Sequence, residues 1–199
     1  MKLLNKVFLA TLVVCLSSAF SNDSLQAQRK SGGASLAELS CQKFGGTRDF
    51  TGRFSQGGYK ASNVDVVIGG ELLRTFAFLG NNNSAQNYWG IYRNSDLGPE
   101  RVACRLAPVN GSSEFRTLVL QFGLSDGSDL LDGSVAVRLR LVLDGEYYGE
   151  KLITKGDLIR WAIPVTGKRS VALEGACIRP KNGRDNCPNI WFTQDLLTR

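Results

Sequence analysis

From about residue 64 onward, short runs in which every second residue is apolar are separated by glycine-bearing turns. Ser134–Leu143 is the clearest run. Val135, Val137, Leu139, Leu141 and Leu143 fall on one side, and Ala136, Arg138, Arg140 and Val142 on the other. A period of two marks a half-buried strand, because successive side chains point to opposite faces. Phe115–Leu124 repeats the pattern through Leu118, Leu120, Phe122 and Leu124, and Arg169–Ile178 through Val171, Leu173 and Cys177. Asp144-Gly145, directly after the longest run and before Tyr147 and Tyr148, is a two-residue hairpin signal. Asn110-Gly111, Asp126-Gly127, Thr166-Gly167 and Asn182-Gly183 continue the punctuation. No amphipathic helix of more than a few turns interrupts them. One-sided strands must bury their apolar faces against a second sheet, so the chain is expected to be all-β: an antiparallel, jelly-roll-like sandwich from residue 60 to the C-terminus.

The first sixty residues read differently. Residues 1–21 carry Lys2 and Lys6, an apolar run from Val7 to Leu16, and small residues Ser17, Ser18 and Ala19. That order is the one of a secretory signal, cleaved after Ala19 or Ser21. The run is too short for a membrane core that needs ~20 apolar residues, and no other segment reaches that length. Val13-Val14 before Cys15 lacks the small residue of a lipoprotein signal. Residues 22–59 are expected to be a flexible arm and N-terminal extension, polar and small over 22–37, with a helical turn at Ser35–Cys41.

Composition narrows the chemistry. The 199 residues fit one domain, and their 22 glycines favour short strands and tight turns. Histidine is absent, which removes Ser-His-Asp and Cys-His nucleophile systems and every imidazole zinc site. The net charge is +6, from basic residues scattered without a run or a nucleic-acid motif. The leader accounts for two lysines and no acid. A mildly basic exported protein is expected to be drawn to acidic polysaccharide or an anionic surface, not to nucleic acid. Without Cys15, four cysteines remain: Cys41, Cys104, Cys177 and Cys187. In an exported chain they imply two disulfides, for which sequence allows three connectivities. Cys177 and Cys187 flank the turn signal Pro180-Lys181-Asn182-Gly183 and are expected to pair, leaving Cys41 with Cys104. No Cys-x-x-Cys knuckle suits zinc.

The order of several pieces carries a resemblance. Ile68-Gly69-Gly70 is followed by Glu100-Arg-Val-Ala-Cys-Arg-Leu106, then by Phe115-Arg-Thr-Leu-Val-Leu-Gln-Phe-Gly-Leu-Ser-Asp126. Gly133-Ser-Val-Ala-Val-Arg138 leads into Leu143-Asp-Gly-Glu146, and Trp191 and Asp195-Leu-Leu197 close the series. From Val67 to about Leu197, roughly two thirds of its length, the chain resembles the family of novel carbohydrate-binding modules (NPCBM), galactose-binding-like jelly rolls often appended to glycoside hydrolases. The resemblance implies a non-catalytic module for a polysaccharide or cell-surface glycan. Asn186–Trp191 stands where that family carries an Asp-His-Ala-Asp-Trp-like segment, and Asn81–Gly98 is a longer insertion. With no catalytic partner domain read in the chain, these departures point to the alternative, an envelope-associated protein-interaction domain on the same fold.

Asp126, Asp129 and Asp132 form an acidic loop without the alternating spacing of a calcium loop, so it reads first as a turn whose side chains bond the backbone, and second as a structural calcium site. No other cofactor is expected. Glycoside hydrolysis needs paired carboxylates. Asp144, Glu146 and Glu150 sit together at the hairpin with nothing apolar to raise a pKa, so a small hydrolase ranks third and no enzyme is expected. Trp161 and Trp191 are expected in the core, Trp191 between the sheets beside Phe192. A sugar ring offers an apolar face rimmed by hydroxyls, and so calls for an aromatic plate with amide or charged partners. Asn81–Arg93 supplies both: Asn87 and Arg93 accompany Tyr88, Trp89 and Tyr92. On a strand the tyrosines would share one face and Trp89 the other. Trp89 is taken as the plate.

Overall fold

The computed structural model describes residues 33–44, 57–81, 100–181 and 187–199. Residues 1–21, expected to be a secretory leader, and the aromatic segment Asn87–Arg93 lie outside these. Thirteen strands run through the described residues: β1 (Ala34–Ser35), β2 (Cys41–Lys43), β3 (Gly57–Ala61), β4 (Asp65–Ile68), β5 (Glu71–Arg74), β6 (Ala77–Asn81), β7 (Glu100–Arg105), β8 (Thr117–Leu124), β9 (Ala136–Leu143), β10 (Glu146–Ile153), β11 (Leu158–Pro164), β12 (Ser170–Arg179) and β13 (Ile190–Thr198). A six-stranded sheet has the order β11-β8-β13-β6-β3, with β1 pairing the far end of β13. A five-stranded sheet has the order β10-β9-β12-β7-β2. Every pairing is antiparallel. The expected sandwich is the fold.

The alternation explains the core. Leu118, Leu120, Phe122 and Leu124 of β8 face Val137, Leu139 and Leu141 of β9, all at 0% exposure. Tyr59 and Phe122 close on Phe192 with ring centroids 5.1 and 5.6 Å away. Each such side chain contributes about 1.5–3 kcal/mol when taken from water. The hairpin is a two-residue turn with positive φ at both Asp144 (51°) and Gly145 (86°), the type I′ geometry that Asp-Gly favours. Both disulfides pair as expected, Cys41 with Cys104 across β2 and β7, and Cys177 with Cys187.

Two expectations are corrected. Residues 33–44, counted with the arm, belong to the sandwich: β1 extends one sheet and β2 the other. Leu36, in the 3-10 turn Leu36–Glu38 between them, is fully buried and anchors this strip in the core. Trp191 does not lie between the sheets. Ile190 and Phe192 point inward, so period two sends Trp191 outward against Phe78, with centroids 5.4 Å apart. Trp161, on the edge strand β11, packs against the core as expected, from a partly buried position with Lys151 5.4 Å from its ring centroid and Tyr148 at 6.0 Å.

The hairpin β4–β5 stands apart from both sheets. It lies on the outer side of the six-stranded sheet over Gly123, where any Cβ would fall 2.6 Å from Ile68 Cγ2. The hairpin therefore covers that side over Gly123. The outer side of the five-stranded sheet is not covered by any described element.

Candidate functional site

The outward positions of the five-stranded sheet come into line through strand register. Tyr147 on β10 stands opposite Val142 on β9, which stands opposite Ala172 on β12. Ala172 faces Ala103 on β7, and Ala103 faces Gln42 on β2. One row thus crosses all five strands, with small or short apolar side chains in the middle. Small residues between larger neighbours leave a trough. Two depressions lie along it, of about 370 and 340 Å³. Both are lined by Ala103 and Ser170, so they are contiguous.

Aromatic rings stand at both ends. Tyr147 is 60% exposed, and Arg140 fixes it with its guanidinium carbon 5.5 Å from the ring centroid. Phe44, 41% exposed, follows β2 and donates its N–H to the Arg101 carbonyl at 3.0 Å.

A ladder of charges forms one wall. Glu150, Arg140, Glu174 and Arg101 are successive register partners across β10, β9, β12 and β7. Arg140 lies 3.4 Å from Glu150 and 3.9 Å from Glu174, and Arg101 lies 3.9 Å from Glu174. Arg138 adds a further approach of 3.9 Å to Glu150. Half-exposed pairs of this kind are worth about 0–1 kcal/mol each. Their consequence is placement: the side chains hold one another upright, with guanidinium and carboxylate edges along the trough. The opposite wall carries Arg105, Arg169 and Ser170. Asp144 Oδ1 accepts the N–H groups of Arg169 and Ser170, each at 2.9 Å, which fixes that wall to the β9–β10 turn.

Two of the acids considered for catalysis, Asp144 and Glu150, are engaged structurally. Asp144 holds the wall, and Glu150 sits among arginines. In the acidic loop, Asp126 Oδ2 accepts the Gly70 N–H at 2.8 Å, and Asp132 Oδ1 accepts the Ser134 N–H at 2.8 Å. The bonds from Ser134 hold the Asp132 carboxyl below its ordinary pKa. No group of three or more acidic or cysteine ligands converges among the described residues. Asp195 is buried, 3% exposed, and its Oδ2 accepts from the Ser35 hydroxyl (2.7 Å), the Ala37 N–H (3.0 Å) and the Tyr59 hydroxyl (2.9 Å). Burial raises its pKa against the pull of those bonds. Burial, together with the Asp195 charge, pushes the Tyr59 phenol well above its ordinary value. This cluster pins the strip 33–38 to β13.

Asn87, Tyr88, Trp89, Tyr92 and Arg93 lie outside the described residues, between the end of β6 at Asn81 and the start of β7 at Glu100. Sequence reasoning missed the trough. Its signal was the second face of the alternation: Val142 among the outward arginines, and Tyr147 straight after the Asp-Gly turn.

No family model and no curated protein sequence matches the chain. Solved structures do. The chain is similar to the structure of the M60 catalytic domain with the CBM51-1 and CBM51-2 domains from Clostridium perfringens ZmpB, at a TM-score of 0.51 and 12% identity. The match covers 84% of this chain and spans 15% of that one. The likeness is one of fold, the antiparallel β-sandwich. The CBM51 from Clostridium perfringens GH95, solved in complex with methyl-galactose, aligns over 83% of this chain and 99% of its own, at 15% identity and a TM-score of 0.49. A CBM28 module specific for non-crystalline cellulose aligns over 70% of this chain and 82% of its own, at 12% identity and a TM-score of 0.35.

Proposed function

We propose that this protein is an exported, non-catalytic carbohydrate-binding module that recognises a polysaccharide or cell-surface glycan. The trough carries the reading: an apolar floor, an exposed ring at each end and walls of hydrogen-bonding groups match the apolar face and hydroxyl rim of sugar rings. Trp89, with Asn87, Tyr88, Tyr92 and Arg93, is proposed as a further aromatic contact. Two disulfides support an oxidising compartment outside the cytoplasm, in keeping with the leader read in residues 1–21. The non-catalytic part rests on the structural engagement of Asp144 and Glu150. A glycan array on the mature protein tests the reading: retention without turnover supports it, and silence across the array overturns it. Product release would establish a hydrolase instead.

A second reading, docking to an envelope protein, is favoured by the β4–β5 hairpin. There Val67 and Leu72 are register partners and both exposed, Leu72 at 71%. Leu72→Ser would then abolish capture by an envelope fraction while leaving glycan retention intact.

A further inference from the structure

We propose that the trough takes an internal stretch of an extended, acidic glycan laid across the strands; this rests on the glycan-binding reading above. The floor row runs from β10 to β2, the two edge strands of the sheet, so it leaves the sheet at both sides. The row ends on Tyr147 and Gln42, both exposed, and the exposed ring of Phe44 stands two residues along from Gln42. Five strands at ~4.8 Å spacing give a floor of ~19 Å, room for about four sugar units lying flat. A site for a single terminal sugar needs one plate and a closed end. This floor has a ring at each end, separated by small residues.

Charge selects the ligand class. Along the ladder Glu150 and Glu174 offset the arginines between them, leaving hydroxyl recognition as the role of that wall. The other depression differs. Arg105 and Arg169 line it, and no acidic side chain does. Arg169 spends one donor on the Val109 carbonyl at 3.2 Å, which leaves most of a five-donor guanidinium for another acceptor. Two guanidiniums over an apolar floor suit a carboxylate or sulfate on the sugar, since arginine meets planar anions bidentately.

The test is calorimetric titration of the mature protein with oligogalacturonates, alginate oligomers and hyaluronan oligomers of one to six units, beside neutral gluco- and manno-oligosaccharides. The expected result is binding to an acidic series that tightens with length up to about four units, weakens with added salt, and falls about tenfold in both Arg105→Ala and Arg169→Ala. A monosaccharide bound as tightly as the tetramer overturns the extended mode. Neutral oligomers bound as tightly as acidic ones, or arginine variants without effect, overturn the charge assignment. Both results leave the glycan-binding reading standing, whereas silence from every oligomer removes that reading too. Leu72→Ser, on the far hairpin, is the control expected to bind as the parent does.

Discussion

Tyr59 and Asp195, 136 positions apart, share a hydrogen bond of 2.9 Å inside the sandwich. The carboxyl's folded pKa lies above its ordinary 3.8, chiefly through burial. A raised folded pKa means that the native state holds the proton more tightly than the unfolded chain does. The contribution is therefore fully present below about pH 3.8 and is lost as pH rises through the folded value. Asp195→Asn removes this titration while keeping an acceptor for Ser35 and Tyr59. Thermal melts of both proteins from acid to neutral pH are expected to show the variant gaining on the parent as pH rises. A constant difference, or the opposite slope, refutes the assignment.

The two disulfides close loops of different size, with separations of 63 and 10 residues. Loop-closure entropy gives about 4 kcal/mol for the first and about 3 for the second. Replacing Cys41 and Cys104 by alanine should thus lower the urea midpoint more than the same change at Cys177 and Cys187. The reverse order would show that the small loop carries more than chain entropy.

Period-two alternation made the core strands of both sheets legible, because burial on one face imposes it. Val135, Val137, Leu139, Leu141 and Leu143 are all buried as the pattern required. The same rule decides Trp191: it was expected in the core beside Phe192, yet its parity on β13 is outward, and parity wins because a one-residue slip would expose Phe192. The strip 33–44 was hidden for another reason. Its strands have two and three residues, too short for periodicity, and depend on long-range partners: Leu197, Cys104 and Asp195. The trough escaped because alanine and valine at outward positions carry no chemical signature, and only register brings Val142, Ala172 and Ala103 into one row.

Gly123 is where the β4–β5 hairpin meets the six-stranded sheet. A side chain there would run into Ile68 Cγ2 and the Asp157 carbonyl. Gly123→Ala is expected to cost about 2 kcal/mol by overpacking, read as a lowered urea midpoint. Ile68→Ala carries a cavity cost of its own but removes the methyl that clashes, so the double variant is expected to lose less than the two single variants together. Two losses that simply add would place the cost elsewhere.

Trp89 is the last test, and it bears on how many plates the glycan meets. The segment that carries it leaves the six-stranded sheet at Asn81 and enters the five-stranded sheet at Glu100, so it is tethered to both. Its indole is proposed to stack on a sugar, with Asn87 and Arg93 supplying polar partners. Losing a well-packed aromatic anchor costs about 2 kcal/mol or more, at least tenfold in affinity. Trp89→Ala is therefore expected to relieve most of the retardation of the folded protein in a glycan-containing gel, with circular dichroism confirming the sandwich. Tyr147→Ala in the same gel gives the trough's share. If the two plates serve one chain of sugars, each variant alone weakens retardation and the double variant abolishes it. Unchanged migration of a folded Trp89→Ala would leave the trough as the whole site.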